Sequence, residues 1–128
     1  CEAADGRTID SLCPSDGLPF AAMARSGAAD VDHAVATARA AFESGPWGRM
    51  NATERGRILV KTGEAILAHH EDLAQIEAQD CGKPLKQARA DMTAAARYFE
   101  FYGTAADKLH GETIPFLNGY TVAVVRDP

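Results

Sequence analysis

Cys81, Gly82 and Lys83 stand side by side in the stretch QDCGKPLKQARADM, residues 79–92, and each type could do chemistry there. A thiol becomes a nucleophile when a helix N-terminus, a histidine or a cationic pocket lowers its pKa. Cys81 instead falls at the C-terminal end of an expected helix, where the partial charge is negative, with Asp80 beside it. That setting disfavours a thiolate, so no catalytic role is expected of it. Gly82-Lys83 is not a phosphate loop either. Such a loop needs an earlier glycine upstream, a strand before it and Ser or Thr after the lysine, whereas Pro84 follows here. His69 and His70 are adjacent, so on a helix they point about 100° apart and cannot share one metal ion. His33 and His110 lie on other segments without ligand spacing, and all four read as surface or helix-end histidines. No glycine-rich dinucleotide fingerprint and no nucleophile elbow is present.

The elements that carry these residues show in the apolar spacing. Thr8–Leu12 and Leu18–Ala24 flank Cys13-Pro14-Ser15-Asp16-Gly17, a turn between two strands of a ribbon. Pro19 cannot donate to a ladder, which puts that ribbon at an edge. Val31, Ala34, Val35, Ala38 and Phe42 recur at helical spacing, with Asp30 expected as the cap and Gly45-Pro46 as the stop. Trp47 just beyond is expected to plug a gap between helices. A second helix opens at Asn51 with Glu54 three residues on. Its expected stripe is Ile58, Thr62, Ala65, Ile66 and His69, followed by a bend near His69-His70 and an end at Asp80-Cys81-Gly82. Pro84 opens a last long helix, striped by Leu85, Ala88, Met92, Ala95, Phe99, Tyr102, Ala106 and Leu109 and closed by Gly111. The DCGKP stretch therefore joins two helices at a corner. Met92, Tyr98, Phe99, Phe101 and Tyr102 cover more than one face of that helix. Core packing explains most of them, and some could line a ligand channel. After Gly111 the period changes: Asn118-Gly119 is a turn signal, and Tyr120–Val125 alternates as a strand does.

Bulk properties exclude several classes. The 128 residues carry a net charge of −5 and are 46% hydrophobic, the composition of a globular protein without the basic face that nucleic acid requires. Arg49, Arg55, Arg57 and Lys61 do cluster, but Glu54 and Glu64 lie among them, as on a solvated helix face. Three scattered cysteines, Cys1, Cys13 and Cys81, form neither a disulfide framework nor a zinc site and point to the reducing cytoplasm. No apolar run approaches the ~20 residues that cross a bilayer, so no membrane partner is expected. The last residues, Arg126-Asp127-Pro128, interrupt a strand-like run, and the chain reads as a piece of a longer one.

In order, AVATARAAFESGPW (34–47), ERGRILVKTGEAI (54–66), DLAQIEAQDCGKPL (72–85), FYGTAADKLHGETIP (101–115) and YTVAVVRDP (120–128) resemble the N-terminal region of NAD(P)-dependent aldehyde dehydrogenases. With the CPSDG turn, the resemblance covers nearly the whole chain. It implies an α/β fold with a Rossmann-type cofactor domain, of which this piece is the mainly helical front with an N-terminal β-hairpin and a C-terminal β segment. Residues 1–112 would belong to the cofactor-binding domain. Residues 113–128 would begin the β segment that joins subunits into homodimers or homotetramers.

The resemblance also implies a reaction: a cysteine thiolate attacks an aldehyde, hydride passes to NAD or NADP, and a glutamate activates water to release the acid. All of those groups would lie beyond residue 128, and Cys81 does not match the nucleophile. No catalytic or dinucleotide-binding residue is therefore expected in this chain. Two lesser roles match residues here. A structural Na⁺ or K⁺ would be held near Ser11, Leu12 and Asp80, against the alternative that Asp80 only hydrogen-bonds locally. The rim of the substrate tunnel would include Ala90, Asp91 and Ala94, small at the positions facing the tunnel, against the alternative that Asp91 is only helix surface. A rival reading of the whole chain is a stand-alone helical interaction module on the same scaffold without its chemistry.

Overall fold

Three glycines and an alanine set how closely the long helices meet. In the computed structural model, which describes residues 2–126, the chain runs β1 (Thr8–Leu12), β2 (Pro19–Ala24), α1 (Ala28–Ser44), a 3₁₀ turn (Trp47–Arg49), α2 (Ala52–Ala68), α3 (His70–Cys81), α4 (Leu85–Ala105), β3 (Glu112–Ile114) and β4 (Val122–Val124). The readings that touch Cys1, Asp127 and Pro128 lie outside the described residues. Helices α2 and α4 pack antiparallel. A Cβ added at Gly56 would strike the carbonyl of Gly103, and one at Gly63 would come 2.9 Å from the carbonyl of Ala96. Two backbones can approach this closely only where neither helix carries a side chain larger than a methyl. Helix α3 folds back on α4, and Ala74 and Ala88 are both 0% exposed.

The buried apolar residues are Ala3, Ala74, Ala88 and Ala96, and no large side chain among the described residues is fully buried. This corrects the expected faces. In α2 the buried positions are Gly56 and Gly63, while Ile58 of the anticipated stripe stays 40% exposed. In α4 core packing does not account for Tyr98, Phe101 and Tyr102, which are all exposed, although Phe101 and Tyr102 meet edge to face. Helix α1 buries nothing, and Val31, Val35 and Phe42 are all exposed. Trp47 plugs no gap between helices: it is 46% exposed and lines an open groove with Phe42, Arg55 and Leu109.

Element ends follow local chemistry. Asn51 and Glu54 form the expected capping box, their side chains each accepting from the other's backbone N–H at 2.9 and 3.0 Å. The cap of α1 is Gly27 rather than Asp30. Asp30 sits one turn in, and its carboxylate accepts from the N–H of Gly27 and of Ala4, both at 2.8 Å, tying the N-terminal segment to the helix. Gly82 closes α3 with φ at 68°, the left-handed cap expected of it.

Helix α4 stops at Ala105, well before Gly111. Thr104 returns its hydroxyl to the carbonyls of Glu100 and Phe101, and the Lys108 ammonium takes the carbonyl of Thr104. Those bonds occupy acceptors in the last turn, and Ala106 and Leu109 fall outside the helix. The C-terminal strands pair antiparallel, Glu112 with Val124 and Ile114 with Val122. Their connection is longer than a two-residue hairpin, with a turn closed by Tyr120 N–H to the Leu117 carbonyl at 3.2 Å and Gly119 at φ 88°. The strand expected from Tyr120 is thereby shortened to Val122–Val124.

Candidate functional site

The corner between α3 and α4 gathers the residues singled out above. It forms because Gly82 reverses the chain and Pro84, with no N–H to lose, begins the next helix. The turn after β1 packs into this corner: the Pro14 ring lies 3.0 Å from where a Gly82 side chain would begin. Alongside, the Ser11 hydroxyl donates to Asp80 Oδ1 at 3.2 Å. Ser11 and Asp80, distant in sequence, are thus brought together, with Leu12 next to Ser11 on β1. The β1–β2 register slips between Ser11 and Leu12, where Leu12 faces Pro19, which has no N–H to give the ladder. The strand carbonyls there and the Asp80 carboxylate are all oxygens, the donor type that a hard monovalent cation takes. No group of three or more His, Cys, Asp or Glu side chains with metal-binding spacing occurs among the described residues. The Ser11–Asp80 bond is equally the local contact that was the alternative.

On the other side of the corner, Lys83 bridges two helices. Its ammonium bonds Glu77 Oε1 on α3 and Asp91 Oδ2 on α4, the latter at 3.0 Å. Gln87 donates to the other Asp91 oxygen at 2.9 Å. The Lys83 and Gln87 bonds hold the Asp91 carboxyl below the usual carboxylate range. Lys83 is pushed up by Glu77 first and Asp91 second, so it stays charged. Ala90 and Ala94 are exposed and Asp91 is half-buried, so the three sit together on one stretch of α4 surface.

Cys81 does not act with them. Loss of solvent around the sulfur raises its pKa first, and the Glu77 carboxylate, 3.7 Å away, raises it further. A thiol pushed in that direction is a poor nucleophile, as its place at a helix C-terminus predicts.

A second clasp lies one turn along. Arg89 grips Glu71 through two bonds, at 2.8 and 2.7 Å. That bidentate pair draws the Glu71 carboxyl down to about 2. His70 Nε2 lies 2.8 Å from the Arg89 carbonyl, which can only accept, so Nε2 carries the proton. His70 is therefore a helix-to-helix tether rather than a free surface histidine. Sequence reasoning did not find Glu77, Lys83 and Gln87 as one cluster. Only Gln87–Asp91, at helical spacing, carried a signal.

The profile of the Aldehyde dehydrogenase family matches residues 1–128. Among curated relatives, aldehyde dehydrogenase family 2 member B4, mitochondrial, of Arabidopsis thaliana is 40% identical over 128 residues, 99% of this chain and 24% of that protein. The Escherichia coli NADP/NAD-dependent aldehyde dehydrogenase PuuC is 35% identical over 98% of this chain and 26% of its own length. Among solved structures, the NAD-dependent aldehyde dehydrogenase of Sinorhizobium meliloti superposes with a TM-score of 0.86 at 40% identity, over 89% of this chain and 23% of that one. PnpE in complex with nicotinamide adenine dinucleotide gives 0.87 at 39% identity, over 94% of this chain and 25% of that one. The chain spans about a quarter of the length of these relatives. The match along the whole chain shows that this chain belongs to the aldehyde dehydrogenase family.

Proposed function

We propose that this chain is the front of an oxidoreductase that converts an aldehyde to a carboxylic acid with NAD or NADP, and that it supplies scaffold rather than reacting groups. The match to the family along all 128 residues carries the reading. The raised thiol of Cys81, held against Glu77, supports a nucleophile elsewhere in the whole protein. When bound, the dinucleotide supplies the hydride acceptor. This chain's own residues position and shape.

Residues 1–112 serve the cofactor-binding domain, with α2, α3 and α4 laid against a sheet formed by other sequence. Residues 113–128 open the β segment that joins subunits into a homodimer or homotetramer. Ser11, Leu12 and Asp80 seat a Na⁺ or K⁺ that locks the first turn to the end of α3. Ala90, Asp91 and Ala94 form part of the tunnel rim, and the two alanines leave room for a wide mouth. The expected location is the cytoplasm. A reducing compartment suits the unpaired Cys13 and Cys81, and no helix among the described residues is long and apolar enough to cross a membrane.

The test is an assay of the whole protein with a short aldehyde and NAD⁺ or NADP⁺, following reduced nicotinamide. Turnover that persists in Cys81→Ser is the expected result. Loss of kcat in that variant, with the fold intact, would move the reacting thiol into this chain and overturn the reading.

A further inference from the structure

We infer that Asn118 is a site of spontaneous deamidation, where the ageing chain gains a carboxylate and a lengthened turn. Asn118 and Gly119 form the centre of the turn between β3 and β4, closed by the Tyr120 N–H on the Leu117 carbonyl at 3.2 Å. Asn118 is exposed, and among the described residues no group takes its side-chain amide. Gly119 has φ at 88°, and no atom lies within 4 Å of where its Cβ would stand. The chemistry is an internal displacement. The Gly119 nitrogen attacks Asn118 Cγ, and the new C–N bond closes an imide ring as ammonia leaves with the Gly119 proton. Water then opens one of the two imide carbonyls. The product is aspartate, or its isomer with the main chain rerouted through the side-chain carbonyl. The attack needs the peptide between the two residues to rotate until nitrogen and Cγ meet. Glycine permits that rotation because it accepts either sign of φ and puts no Cβ in the way. Among the described residues the Gly119 N–H makes no backbone hydrogen bond, so none has to break first.

Three other places in the chain show what the structure adds to the residue pattern. Asn51 is the other asparagine, but its Oδ1 accepts from the Glu54 N–H at 2.9 Å and Ala52 after it begins α2. Asp5-Gly6 and Asp16-Gly17 share the left-handed glycine, at φ 69° and 72°. Their side chains are held, Asp5 by the Arg7 N–H at 3.0 Å and Asp16 by the Leu18 N–H at 2.9 Å. Of the four, only Asn118 joins an unheld side chain to an unhindered glycine. Either product places a negative charge where a neutral amide stood. The rerouted one also inserts a methylene into the main chain, which lengthens the ring closed by Tyr120 and Leu117 and strains the pairing of Ile114 with Val122. A weaker subunit contact follows. That consequence rests on the proposal that residues 113–128 open the β segment joining subunits, so chemistry and assembly are read separately.

The test incubates the full-length protein in mildly alkaline buffer and follows Asn51 and Asn118 by peptide mapping with mass analysis. Asn118 is expected to lose its amide about tenfold faster than Asn51, a barrier lower by ~1.4 kcal/mol. Gly119→Ala should slow the loss, and Asn118→Gln should stop it over the same period. Equal rates at the two asparagines, or a rate that Gly119→Ala leaves unchanged, would overturn the assignment. The deamidated fraction, separated by ion exchange, is expected to contain more dissociated subunits than fresh protein at equal concentration. A deamidated fraction that assembles as tightly as fresh protein would overturn the consequence for assembly and leave the modification standing. Fresh protein that is already monomeric would instead overturn the proposed role of the β segment.

Discussion

The α2–α4 seam and helix α1 are built on opposite plans. The seam carries glycine and alanine where the helices touch, and it is closed within this chain: Gly56 against Gly103, Gly63 against Ala96. Helix α1 carries the larger apolar side chains, yet Val35 is 62% and Phe42 58% exposed. The hydrophobic stripe and the buried face are therefore different things in this molecule. Small residues mark where helices meet each other. Large ones mark where the helices await something else, and exposed apolar faces on this scale signal contact surfaces.

The contrast breaks most sharply at Gly56. Gly56→Val puts a branched side chain into the Gly103 carbonyl and should lower stability by about 1–3 kcal/mol, as overpacking does, read by urea or thermal unfolding. Asn51→Ala should cost about 1 kcal/mol in the same measurement, because it removes the acceptor that closes the capping box of α2.

Acid should loosen the α3–α4 clasp next. The Arg89 guanidinium holds Glu71 near 2, below its ordinary 4.5. A carboxylate depressed on folding stabilises above its unfolded pKa, and that contribution is lost as pH falls through the folded one. The weakening should run from about pH 4.5 down to 2, and Glu71→Gln should flatten that part of the pH profile. The smallest effect is expected on α1: Val35→Ser, on a face that buries nothing here, should change stability by less than about 0.5 kcal/mol. A Val35→Ser cost equal to that of Gly56→Val would erase the distinction between the two regions.

Much of the layout was legible before any coordinates. Asn51 with Glu54, Gly82 before Pro84, and the Pro14–Gly17 turn announce their elements through local chemistry, and the structure keeps each of them. Faces were not legible in the same way. Periodicity located Ile58 and Ala65 on a stripe but could not say that Gly56 and Gly63 form the packed side, since a glycine contributes nothing to an apolar pattern. The early end of α4 was hidden too, because Ala106 and Leu109 continue the apolar spacing past Ala105, where the helix stops. At the corner, Ser11 and Asp80 came together on the strength of a family resemblance alone. The Lys83–Asp91 pair spans a reversal of the chain, where helical spacing has no meaning.

The most direct test of a scaffold without reacting groups is to give residues 1–128 alone an aldehyde and NAD⁺ or NADP⁺ and follow reduced nicotinamide. The account predicts none above the rate without protein. Turnover that depends on the chain and is lost in Cys81→Ser would contradict it.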